Sequence, residues 1–223
     1  MSRLITLESA KPGEADFSHV VDSVFVFDDF YSSTQILLLE RWALETPHWM
    51  LNNIVFDAKG GAQHRIWGAS YIKAWKSGGW PALPPAFFSA IATVFRELGV
   101  VITTAEYVGL NGQLRHQDAS THTDCAMDAA DQLSILIYIG EDTDGDLVLF
   151  DKEDSGRIIE RLAFRPNRIV AFDGSIPHRA FAPSDGKFRM SAIVRGTYRC
   201  WDAATESTID CGQSHSQSKG LTV

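Results

Sequence analysis

The chain has 223 residues, 45% hydrophobic, 11% aromatic and 22% charged, with a formal net charge of −8 and a pI near 5.3. That length fits a single domain with a sizeable core, and the composition excludes a fibrous or wholly disordered chain. The acidic balance and the lack of a Lys/Arg cluster disfavour a general nucleic-acid binder, whose phosphate contacts require a basic face.

The three cysteines, Cys125, Cys200 and Cys211, are odd in number and lack Cys-x-x-Cys spacing, so neither a disulfide framework nor a zinc ribbon is signalled. No apolar segment approaches the roughly 18 residues that span a bilayer, and "MSRLITLESAKPGEADF" lacks the apolar core of a signal peptide. A soluble cytoplasmic protein with no membrane partner is the expectation.

In chain order, a β-prone run at Val24 to Phe27 leads into a helix whose start carries a capping box, Ser32 with Gln35, and which Pro47 closes. Residues 51–85 are rich in Gly, Trp and Pro and read as loops and short strands without a clear period. "PPAFFSAIATVFRELGV" predicts a helix that packs on a sheet. It has Phe88, Ile91, Phe95 and Leu98 at helical spacing, prolines in front and Gly99 behind. From Val100 onward, β-prone runs such as "QLSILIYIG", "GDLVLFD", "RIVAFDG" and "FRMSAIVRGTY" alternate with turn residues, which predicts a many-stranded antiparallel domain core over about residues 100–200. The polar tail, about 205–223, is expected to be poorly ordered or a surface strap.

Two His-x-Asp tripeptides stand close together, His116-Gln117-Asp118 and His122-Thr123-Asp124. The tripeptide is short enough to arise by chance, and its meaning depends on the elements around it. On a strand, residues i and i+2 project to one face, so His-x-Asp at the mouth of a β domain aims an imidazole and a carboxylate at one point. A second His would complete a 2-His-1-carboxylate set able to bind Fe(II) while leaving coordination positions open. His178, in "AFDGSIPHRAFAP", is the candidate. Arg189, eleven residues on, has a planar fork suited to a carboxylate, and Ser191 shares its face.

These pieces resemble the Fe(II)- and 2-oxoglutarate-dependent oxygenases, in particular their prolyl-4-hydroxylase-like branch, over roughly Ala105 to Arg195. "VFVFDDFYSSTQ" is a weaker echo of the family's entry segment. The matching pieces are His122 and Asp124, "ILIYIGED" with Tyr138, "GDLVLF" with Gly145, His178, and Arg189 with Ser191. The sequence departs from the family where Asp146 replaces a second Gly and where "YIGED" lacks the usual Asn, changes that bear on a hairpin more than on a metal. His122 lies sixteen residues before Tyr138 and His116 twenty-two, and the shorter connection favours His122 and Asp124. "NGQLRHQDASTHTD" also resembles a pattern of small family members that puts the ligands there. A competing register, "YVGLNGQLRHQD" with "RMSAIVR", resembles the AlkB-type demethylases, with Tyr107 ahead of His116 and with Arg189 and Arg195 spaced as that family spaces its arginines.

The resemblance implies a double-stranded β-helix (a cupin-like jelly roll) with packing helices, mostly β. It implies a dioxygenase using Fe(II), 2-oxoglutarate and O2, with ascorbate as an accessory reductant and succinate and CO2 as co-products. Metal ligands would be His122, Asp124 and His178; Arg189, Ser191, Tyr138 and Tyr107 would bind co-substrate, with Gln113 either a further contact or structural. Arg195 would be at the surface or on the substrate side. Cys125 would pack away from the metal, and Trp67, Trp75 and Trp80 would pack or cover the site. A carboxylate at Asp124 implies hydroxylation, since halogenating relatives have a small residue there. The expected substrate is a small metabolite or amino acid. The alternatives are a prolyl or other residue of a protein, AlkB-type demethylation, and a non-catalytic cupin-like binding module.

Overall fold

The structure, a computed structural model of the chain, describes residues 6–9, 23–56, 62–73, 83–126, 129, 131–154, 156–202 and 207–209. The first elements are β1 (Thr6–Ser9), β2 (Ser23–Phe27) and α1 (Ser33–Glu45). Helix α1 starts at the capping box read from the sequence: the Gln35 amide donates to Ser32 Oγ, and the Ser32 amide donates to Gln35 Oε1. It ends where Thr46, the residue before Pro47, turns extended, as the proline ring demands of its predecessor.

Residues 51–85 are more regular than their composition suggested. They contain β3 (Met50–Phe56) and β4 (Ala62–Lys73), an antiparallel pair joined to the main sheet. Register shifts along both pairings break the alternation that a sequence period depends on. Helix α2 (Pro85–Leu98) begins on Pro84 and Pro85 and ends at Gly99, whose φ of 62° is left-handed and suits glycine. Its packed face is Phe87, Ala90, Ile91, Val94 and Leu98, while Phe88 is 53% exposed. The expected stripe was thus one residue out at its start: Phe87 and Phe88 both fit a helical period through Ile91 and Leu98, and Trp42 of α1, stacked on Phe87 at 4.8 Å, decides between them.

The rest is a jelly roll, mostly β as expected. Strands β5 (Val100–Gln113), β6 (Gln132–Ile139), β9 (Ile169–Asp173) and β11 (Arg189–Asp202) lie in the major sheet, whose order is β1-β2-β9-β6-β11-β5-β4-β3. Strands β7 (Leu147–Phe150), β8 (Ile158–Leu162) and β10 (His178–Ala180) form the minor sheet, ordered β10-β7-β8, with His122 bridged to His178 at its edge. The chain crosses between the sheets repeatedly, enclosing an apolar interior of Val24, Leu136, Leu147, Leu149, Phe164, Phe172 and Ile193 among others. On the other face of the major sheet, both helices bury a larger cluster with Phe25, Ile135, Ile137, Val108 and Val194.

From the tail, β12 (Ser207–Ile209) pairs with the end of β11, which makes those three residues a strap; the rest of 205–223 apart from them lies outside the described residues. Cys200 is disulfide-bonded and Cys125 is a free thiol, so the odd cysteine count concealed a bridge. Among the described residues no helix is long and apolar enough to cross a membrane.

The two adjacent phenylalanines should separate cleanly in urea unfolding. Phe87→Ala is expected to cost about 3–5 kcal/mol through its cavity, and Phe88→Ala about 0.5 kcal/mol or less; equal costs would contradict the packed face described.

Candidate active site

The site grows out of the register of β11. Met190 to Thr197 pair antiparallel with Ile139 to Gln132 of β6, and Arg189 to Arg195 pair with Gln113 to Tyr107 of β5. Side chains alternate faces along a strand, so Arg189, Ser191, Ile193 and Arg195 all face the jelly-roll interior. They do so beside Tyr138, Leu136 and Ser134 on one flank and Gln113, Asn111, Gly109 and Tyr107 on the other. Strand β4 continues these rows, with Gly68 opposite Asn111 and Ser70 opposite Gly109.

His122, Asp124 and His178 converge, each offering one ligand atom, with all three atoms within 4.8 Å of one another. The backbone of His122 and His178 exchanges two hydrogen bonds, of 3.0 and 2.9 Å, which brings the imidazoles to a 4.5 Å centroid separation. The Asp124 amide donates to the Gly174 carbonyl at 2.8 Å. A Cβ on Gly174 would lie 3.3 Å from Ser134 Oγ and 3.5 Å from Asp124 Cβ, so a side chain there would press on the carboxylate and its donor.

Both imidazoles are oriented through Nδ1, which lies 2.8 Å from the Ser120 carbonyl in His122 and 2.9 Å from the Ile176 carbonyl in His178. A carbonyl only accepts, so each Nδ1 carries the proton and each Nε2 keeps its lone pair. Those Nε2 atoms are 3.9 Å and 3.7 Å from the Asp124 oxygens. Burial drives the His178 pKa down to about 4, against the pull of Asp124. Burial alone would raise Asp124, but His178, Arg195, His122 and the Ser134 hydroxyl outweigh it and hold the carboxyl at about 2. A neutral imidazole and an ionised carboxylate are the forms that bind a metal, and two imidazoles with one carboxylate suit a non-haem Fe(II) site.

Around these three stand groups the sequence did not single out. Ser134 donates to Asp124 Oδ2 at 2.6 Å. His64 on β4 takes the Ser120 amide on its Nδ1 at 2.8 Å and lies 2.9 Å from Ser120 Oγ, so it supports the residue whose carbonyl orients His122. Burial, helped by His122, lowers the His64 pKa to about 4, which keeps the ring neutral. No motif marks His64, because it sits in the segment whose period is broken.

The other tripeptide is turned elsewhere. His116 is exposed in a turn with a φ of 68°, and Asp118 accepts from the Ala182 amide at 2.8 Å and from Arg179 at 3.2 Å. It ties the turn to the segment after β10 and does not face His178.

Arg189 is buried. Its Nε donates to the Gly145 carbonyl at 2.8 Å, its Nη1 to Gln113 Oε1 at 2.9 Å, and its guanidinium lies over the Tyr138 and Phe164 rings. Gln113 in turn donates to the carbonyls of Gln117 and Ala180, so it positions the arginine. Gly145 has a φ of 121°, and a Cβ there would meet Arg189 Cδ at 3.0 Å. Arg189 Nη2 and Tyr138 Oη are both buried without a hydrogen-bond partner, and Arg189 forms no ion pair among the described residues. A buried cation beside an unused phenol is costly, and a carboxylate accepting from both would offset it. A dicarboxylate co-substrate therefore fits this pair.

Ser191 is buried between Asn111 and Tyr138. Tyr107 accepts from Ser70 at 3.1 Å and donates to Asn111 at 3.2 Å, which occupies its hydroxyl. Arg195, expected at the surface or on the substrate side, reaches inward to Asp124 Oδ1. Cys125 is half-buried, and burial together with Asp173 and Asp124 pushes its thiol up to about 11. Trp67 pairs with Gly112 on the opposite face of the sheet, so it does not cover the site; Trp75 and Trp80 lie outside the described residues. Asp146, which replaces a glycine of the family pattern, accepts from Arg161 at 3.1 Å.

Among solved structures, the fold is similar to an oxidoreductase of the 2OG-Fe(II) oxygenase family from Burkholderia pseudomallei, with a TM-score of 0.59 and 14% identity over 78% of this chain and 84% of that one. It is also similar to a Pseudomonas putida prolyl-4-hydroxylase, with a TM-score of 0.53 and 14% identity over 77% of this chain and 90% of that one. No protein-family model and no curated protein matches the sequence. The likeness is one of fold, and the fold is the jelly roll of the 2-oxoglutarate oxygenases.

Calorimetric titration with Mn(II) should distinguish the two tripeptides. Asp124→Ala is expected to abolish binding. Asp118→Ala should leave it within about twofold while lowering stability by about 1 kcal/mol, and His64→Ala should weaken it about tenfold by releasing the support of His122.

Proposed function

We propose that the protein is an Fe(II)- and 2-oxoglutarate-dependent dioxygenase that hydroxylates an unactivated C–H bond of a small metabolite or amino acid. The observation that carries the proposal is the pairing of two unsatisfied sets in one jelly-roll interior. His122, Asp124 and His178 converge with the lone pairs of both imidazole Nε2 atoms free, and Arg189 Nη2 and Tyr138 Oη are buried without a hydrogen-bond partner.

In this reading His122 Nε2, Asp124 and His178 Nε2 would hold the metal, and Arg189 and Tyr138 would take the distal carboxylate of 2-oxoglutarate beside Ser191. Bound Fe(II), with 2-oxoglutarate and O2, supplies an oxidant able to break an unactivated C–H bond, with succinate and CO2 as co-products. The chain supplies geometry. The Ser120 and Ile176 carbonyls fix the imidazole tautomers, Ser134 fixes one carboxylate oxygen, and Leu136, Ile193 and Phe172 keep the interior apolar.

A prolyl or other residue of a peptide is the second reading, supported by the likeness to the P. putida prolyl-4-hydroxylase. An AlkB-type assignment requires His116 and Asp118 as ligands, and the exposure of His116 in a turn together with the bonds of Asp118 to Ala182 and Arg179 speaks against it. A non-catalytic binding module has no use for a buried arginine with a free donor.

Anaerobic addition of Fe(II) and 2-oxoglutarate should produce the visible metal-to-ligand charge-transfer band of the chelate. Arg189→Ala should weaken 2-oxoglutarate binding about 100-fold, the loss of a charge-assisted pair worth roughly 3 kcal/mol. A parent protein that gives no band would sink the dioxygenase reading.

A further inference from the structure

Resting on the co-substrate reading above, we infer that Arg195 is a substrate-binding residue, and that the substrate carries a carboxylate which its guanidinium receives over the Tyr107 ring. Arg195 shares the inward face of β11 with Arg189 but stands six residues away, about 20 Å between Cα atoms. The two cations therefore serve opposite ends of the interior. Arg189 is sealed between Tyr138 and Phe164, whereas the Arg195 side chain is 29% exposed and reaches solvent.

Two contacts and one free donor define the Arg195 guanidinium. One amino group meets Asp124 Oδ1, the central carbon lies 5.4 Å from the Tyr107 ring centroid, and Nε is buried without a partner. Tyr107 is itself held by Ser70 and Asn111, so the ring is a fixed platform that sets the plane of the cation. A planar guanidinium with a free edge accepts a carboxylate through two parallel bonds.

Charge makes the same demand. Asp124 is the ion-pair partner of Arg195, while the more distant Arg189 feels the charge of Asp146. Once Asp124 shares its oxygens with a metal, its hold on Arg195 weakens. A half-buried cation beside a metal then favours an anion over water. The inferred substrate is a free amino acid or similar acid with its carboxylate on Arg195, in contrast to an internal peptide residue, whose main chain has no such charge.

The test uses the full chain loaded with Co(II) and 2-oxoglutarate, whose visible spectrum reports groups that enter beside the metal without turnover. The twenty free L-amino acids, their α-carboxamides and N-acetylated prolyl peptide amides are titrated in turn. At least one acid is expected to perturb the spectrum and bind about tenfold or more tightly than its amide. Arg195→Gln should bring that acid to the level of its amide while Co(II) and 2-oxoglutarate still load, and Arg195→Lys should restore part of the preference. No acid preferred over its amide, a preference that survives Arg195→Gln, or capped peptides binding best would each overturn the inference. Loss of metal loading in Arg195→Gln would also overturn it, since Arg195 would then act on Asp124 alone. A parent that takes up neither Co(II) nor 2-oxoglutarate would instead overturn the co-substrate reading and the inference with it.

Discussion

Strand β11 is hydrogen-bonded on both edges, to β6 and to β5, and this double pairing fixes everything the interior contains. A strand has a side-chain period of two, so a slip of one residue would send Arg189, Ser191 and Arg195 to the helix side and turn Met190, Ala192 and Val194 inward. The apolar layer against α1 and α2 forbids that exchange, because those three side chains are part of it. The helices thus act on the chemistry at a distance by holding the register. The bulges near Arg195/Gly196 and Thr197/Tyr198 fall at and beyond the last of these inward residues, which leaves the site rows regular.

The same interior holds charged groups at a cost. Asp124 is buried with Ser134, Arg195 and two imidazoles around it, and Arg189 is buried with only part of its donors used. Compensated burial explains an ion pair, but burial with a donor left over needs a further partner. Replacing such groups by apolar residues would make a quieter core. Charged groups kept in an apolar interior in this way make these residues candidates for function rather than contributors to stability.

Much of this was legible in the sequence, for identifiable reasons. The capping box at Ser32 and Gln35 is local chemistry, and it formed as read. The order from His122 and Asp124 through Tyr138 and His178 to Arg189 and Ser191 carried the family's spacing, and the jelly roll is the fold it implied. Phe87 against Phe88 was not legible, since both satisfy a helical period and the choice rests on Trp42 and Tyr71, which are distant in the chain. His64 was hidden because register shifts in β4 erase the alternation, and its role depends on Ser120, 56 residues away in the chain. The Arg195 contact with Asp124 spans 71 residues and has no local signal at all. The bridge at Cys200 was missed because an odd cysteine count argues against pairing.

The central claim is that one interior holds a metal at His122, Asp124 and His178 and a dicarboxylate at Arg189 and Tyr138. Anomalous diffraction at the manganese edge, from crystals grown with Mn(II) and 2-oxoglutarate, tests it most directly. The account predicts a single strong manganese peak within bonding distance of His122 Nε2, Asp124 and His178 Nε2, with the distal carboxylate of 2-oxoglutarate on Arg189 and Tyr138. Manganese at His116 and Asp118, or a 2-oxoglutarate carboxylate seated away from Arg189, would contradict it.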